Sequence, residues 1–110
     1  MSINEIIINA LNFLNIPVRF QKILDQDGDP SNYVTFFEYN QNGALHGDDS
    51  EIKSNHFIQI DVWSNGNYSD IVKQIKEKLT EIGFIRTYEK DLYETDTKKY
   101  HKVIRFNFVQ

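Results

Sequence analysis

The chain has 110 residues, no cysteine and a net charge of −4, with twelve basic against sixteen acidic residues. That length suits one domain with a single core; missing cysteine excludes disulfides, thiol catalysis and cysteine–metal clusters, and fits a reducing compartment. An acidic balance argues against a general nucleic-acid binder, because phosphate attraction supplies most non-specific affinity.

Taken in order, Ser2 and Glu5 form an S-x-x-E pair at a helix start. Ile3, Ile7, Ala10, Leu11 and Leu14 give that helix one apolar face, and Asn15 with Pro17 ends it. The amino-terminal stretch is acidic without a basic start, unlike a secretory signal, and no apolar run approaches the ~20 residues of a membrane span. Residues 18–23 read as a short strand. The turn that follows carries Asp25, Asp27 and Asp29, but Phe36 stands where a calcium loop needs a bidentate glutamate, so a solvated turn is expected.

Residues 33–40 read as a strand with Val34 and Phe36 on one face and Tyr33, Thr35, Phe37 and Tyr39 on the other. Residues 41–55 are polar and read as a long loop, acidic through Asp48, Asp49 and Glu51. The next stretch organises the chain. Ile58, Ile60 and Val62 alternate with Gln59 and Asp61, and Phe57 and Trp63 share the second face. After the turn at residues 64–67, Ile71, Val72, Ile75, Leu79 and Ile82 make a helical stripe. Asn67 is placed to cap that helix and Gly83 to stop it. Two further strands, 84–89 and 100–109, make a terminal hairpin. The expectation is one α+β domain over residues 1–110, order α-β-β-β-α-β-β, with a mainly antiparallel sheet packed by two helices.

Chemistry is sparse. His46, His56 and His101 lack metal-ligand spacing, and no nucleophile or phosphate-loop motif occurs, so no catalytic residue, metal or cofactor is expected. Asp61 is the carboxylate with a claim to burial, with Arg86 or Arg105 as expected partner. The cluster Lys98, Lys99, Tyr100, His101, Lys102 is expected to be a solvated hairpin end. Eight Phe, six Tyr and one Trp exceed the need of so small a core, which suggests a partner interface.

The run IQIDVWSNGNYSDIVKQIKEKLTEIGF and the hairpin DLYETDTKKYHKVIRF resemble small tail-completion or tail-terminator proteins of long-tailed bacteriophages and related prophage particles. The stretches IPVRFQKI and YVTFFEYNQ are similar to the amino-terminal half of the same group. The resemblance implies a virion structural protein assembled in the host cytoplasm. It implies a ring of identical subunits, commonly a hexamer, that caps the tail tube and meets the head–tail connector. DNA would pass only in transit, and no membrane is involved. The alternatives are a small adaptor or regulatory prophage protein, or a small enzyme using Asp61 and a histidine. Expected interface residues are Trp63, Tyr88, Leu92, Tyr93 and Tyr100; Asp48, Asp49 and Glu51 are expected to face solvent or the channel.

Overall fold

The computed structural model describes the backbone of residues 2–47 and 50–110; the side chains of residues 40–53 are outside that description. The element order is α1 (Ile3–Leu11), β1 (Val18–Phe20), β2 (Asn32–Gly47), β3 (Ser50–Ser64), α2 (Ser69–Glu81), β4 (Ile85–Glu94) and β5 (Lys99–Val109), with short 3-10 turns at Asn12–Leu14 and Asp25–Asp27. This is the α+β order read from the sequence.

The five strands form one sheet in the order β1-β2-β3-β5-β4, parallel only between β1 and β2. Register explains its two faces. Val34 pairs with Val62, Phe36 with Ile60, and Ile60 in turn with Ile104. These residues project to one side, where Ile7 and Leu11 of α1 and Val72, Ile75 and Leu79 of α2 close over them. Ile60, Val62, Ile75 and Leu79 are fully buried, as the alternation and the helical stripe require.

Local chemistry sets the element ends. The Ser2 and Glu5 side chains form a reciprocal capping box on α1. Asn15, at φ 57°, breaks away in the left-handed region before Pro17. Asn67, expected to cap α2, stands one residue ahead of the N-cap Tyr68: its carboxamide oxygen accepts from the Ser69 N–H at 2.8 Å in an Asx turn that leads into the helix. Gly83 leaves the helix at φ 108°, a backbone region that strains any residue bearing a Cβ.

Three boundaries depart from the sequence reading. Strand β1 stops at Phe20 because Gln21 turns to φ 68°. Strand β4 runs on to Glu94, so the terminal hairpin is longer than its apolar residues suggest. The expected loop at residues 41–55 is strand: β2 and β3 stay paired through Gly47↔Ser50, with register shifts near Gly43 and Leu45. Polar composition hid it, since a ladder needs only backbone groups and its bulges tolerate glycine. Asp48 and Asp49 lie outside the described residues, and Glu51 is described only as backbone paired with His46.

Leu79→Ala removes a fully buried side chain between helix and sheet and is expected to cost about 2–5 kcal/mol in denaturant unfolding. A loss under ~1 kcal/mol would mean that the α2 stripe does not seal the core.

Candidate functional site

The odd-numbered residues of β3 and their neighbours form the sheet face opposite the helices. Tyr33, Thr35, Phe37 and Tyr39 stand beside Phe57, Gln59, Asp61 and Trp63; next come His101, Val103 and Arg105, then Tyr88 and Leu92. The side chains cover one another. Val103 is buried there without belonging to the helix-side core.

A continuous network crosses this face. Tyr33 stacks on Trp63, with ring centres 5.8 Å apart and planes at 13°. Trp63 stacks on His101 at 3.8 Å and 10°. The indole N–H of Trp63 donates to Thr35 Oγ1 at 3.2 Å. His101 Nε2 lies 2.8 Å from Asp61 Oδ1, which also accepts from Gln59 Nε2 at 3.0 Å. Arg105 Nε donates to Gln59 Oε1 at 3.1 Å, and its guanidinium lies over the rings of Tyr39 (4.9 Å) and Tyr88 (5.3 Å). A buried carboxylate costs free energy unless it is hydrogen-bonded, and here His101 and Gln59 supply the partners.

The expected partner of Asp61 is therefore corrected. Neither arginine reaches it: Arg105 bonds Gln59, and Arg86 pairs with Glu89 on its own strand. Sequence reasoning missed His101 because the pair forms diagonally, two residues off the Asp61↔Val103 register between β3 and β5. The imidazole lies under the Trp63 ring and Asp61 is 5% exposed, so the pair is placed to hold the face together.

The expected interface residues fall into two groups. Tyr88, Leu92 and Trp63 belong to the uncovered face; Tyr88 and Leu92 are exposed, while Trp63 is partly enclosed by its stack. Tyr93 and Tyr100 pair across the hairpin with ring centres 5.0 Å apart, on the helix side, and both remain exposed. The hairpin thus presents aromatic surface to both sides of the sheet.

The basic cluster is a solvated end only in part: Lys98 and Tyr100 are exposed, whereas Lys99, His101 and Lys102 are buried. Lys99 Nζ donates to Asn65 Oδ1 at 2.7 Å, and Lys102 Nζ sits between Glu89 (3.0 Å) and Asp91 (3.2 Å). Both lysines are buried. Lys102 lines a groove of about 730 Å³ between the start of α2 and the terminal hairpin, with Lys73, Lys76, Glu89, Asp91 and Tyr100. Lys102, with help from Lys76, holds the Glu89 carboxyl down at about 2 against the opposing effect of burial. Burial, reinforced by donation to Asp91 at 2.6 Å, raises the Tyr68 phenol above its ordinary value. The acidic turn is also engaged: Arg19 forks onto Asp27 at 2.9 and 2.6 Å and holds that carboxyl at about 2.

No protein-family model matches the chain, and no curated protein matches it. Among solved structures, the bacteriophage SPP1 gp17 protein is similar, with a TM-score of 0.57 and 18% identity over 97% of this chain and 87% of that one. The likeness is one of fold, and it extends over nearly the whole chain.

Glu89 gives a pH prediction with a definite sign. Its carboxyl is lowered from 4.5 to about 2, so its contribution is complete above the unfolded value and is lost as pH falls from 4.5 towards 2. Glu89→Gln should therefore flatten the acid side of the stability–pH curve across that window. An unchanged acid limb in urea unfolding would show that the lysines do not act through Glu89.

Proposed function

We propose that this chain is a structural protein of a bacteriophage or prophage particle that forms a ring capping the tail tube and joins the tail to the head connector. The observation that carries the reading is the fold it shares with the bacteriophage SPP1 gp17 protein across 97% of its length. The sequence resemblance to tail-completion proteins supports it independently, from the IDVWS strand end and the terminal hairpin. An uncovered sheet face ordered by its own ring stacks and hydrogen bonds supports it physically: large ordered aromatic surfaces fit partner contact.

In this reading Tyr88 and Leu92 meet the tube protein or another copy on the uncovered face, and Tyr93 and Tyr100 extend the contact on the other side. DNA passes through the ring without being held, in keeping with the net charge of −4. No residue performs a chemical step; Asp61 and His101 serve the face and not a reaction. Among the described residues no helix is long and apolar enough to cross a membrane, and the proposed location is the virion tail at its head end.

The test is the double variant Tyr88→Ala/Leu92→Ala. Both side chains are exposed, so unfolding midpoints should stay near the parent's, while head–tail joining by purified components falls by about tenfold or more. Joining at the parent level with a folded variant would contradict the assignment of this face.

A further inference from the structure

Strand β4 is an outer strand of the sheet, paired with β5 on one side and with no strand on the other among the described residues. Natural proteins blunt such edges with bulges, charges or brevity, because unpaired backbone groups recruit other strands. β4 is ten residues long. Its irregularity comes early, at the register shift between Arg86 and Tyr88, where the Thr87 hydroxyl donates to the Arg105 carbonyl. Beyond that point residues 88–94 pair with β5 without a break. The strand also concentrates apolar exposure: Ile85 is 67% exposed, and Tyr88, Leu92 and Tyr93 are exposed with it. A long, regular and partly apolar edge is the pattern expected where another strand adds.

The opposite side of the sheet offers a complementary edge. β1 is three residues long and covers β2 only at Val34, Thr35 and Phe36. From residue 37 to 47 the outer backbone of β2 meets no further strand among the described residues. The end of the β2–β3 pair beyond the last β5 contact, at Asn55↔Val109, is a two-stranded ribbon, an arrangement marginally stable by itself.

Strand directions are compatible. β2 and β5 both run opposite to β3, and β4 runs opposite to β5, so β4 is antiparallel to β2 of a copy placed edge to edge in the same sense. That pairing directs Arg86, near the start of β4, towards the end of β2 that Asp48 and Asp49 follow in sequence. By register β4 stands level with Asn32 to Asn40 of its own β2, while the open stretch runs from residue 37 on to 47. Edge pairing therefore staggers the copies, as in closed barrels, whose strands incline to the axis.

We infer that the free edge of β4 pairs with the outer edge of β2 in a second copy of this chain, continuing the sheet from subunit to subunit. The contact is head to tail, the type that closes into a ring when its rotation permits. The inference rests on the ring reading above and specifies the surface that makes the ring.

The experiment is hydrogen exchange on the full chain, resolved by residue, at concentrations below and above assembly as judged by mass in solution. The assembled form should show alternate amides of residues 88–94 slowed by about tenfold or more, with matching slowing along residues 37–47. Lys90→Pro and Asp91→Pro provide a second readout, since adjacent N–H groups on a strand point to opposite sides. The variant that keeps the monomer folded has lost an outward N–H, and it should no longer assemble. Assembly with unchanged β4 exchange, or a folded proline variant that still assembles, would overturn the edge pairing and leave the ring intact. A chain that stays monomeric at every concentration and with tail tubes added would overturn both.

Discussion

Everything in this fold depends on β3 having two different sides that are both filled. It is the strand bonded to β2 and to β5, and its even-numbered residues Ile58, Ile60 and Val62 lie in the helix-covered core. Its odd-numbered residues Gln59, Asp61 and Trp63 carry the network of the other face. A slip of one residue would move the carboxylate into the hydrocarbon core and the isoleucines into water. The register is thereby fixed from both sides, by hydrophobic burial on one and by hydrogen bonds on the other.

That double constraint explains how a sheet keeps a face without helices in good order. Trp63 has Tyr33 on one side and His101 on the other, and the indole N–H is taken by Thr35. Arg105 lies over two tyrosines while bonded to Gln59. Side chains so fixed lose less rotamer freedom when a partner arrives, and preorganisation favours specific contact over loose adhesion. The helix side is tied down differently, by polar contacts: Lys102 joins β5 to Glu89 and Asp91 of β4, while Lys76 of α2 reaches Glu89 and Tyr68 donates to Asp91, fastening the hairpin to the helix.

Much of this was legible in the sequence where local pattern and tertiary role agree. The alternation of Ile58, Ile60 and Val62 and the stripe of Ile75 and Leu79 name the core directly, and Ser2, Glu5 and Gly83 mark helix ends. The paired strands across residues 41–47 and 50–55 were not legible, because their stability comes from backbone pairing while their side chains are polar. The lysines of β5 read as solvated because their partners Asn65, Glu89 and Asp91 lie on other elements, which only the sheet order brings close. The His101–Asp61 pair needed the register of β3 on β5, which no single-strand pattern encodes. Trp63 was assigned to an interface from its face alone; the structure adds that much of its ring is already in use within the chain.

In the proposed function the uncovered face of the sheet is where this protein meets its partners, and the sequence provides a reporter for it. Trp63 is the sole tryptophan and stands partly exposed on that face. Acrylamide quenching of its fluorescence, measured before and after the protein is added to tail tubes, reads the face directly. A marked fall in quenching on assembly is the result this structure predicts. Assembly with quenching unchanged would place the contact elsewhere and contradict it.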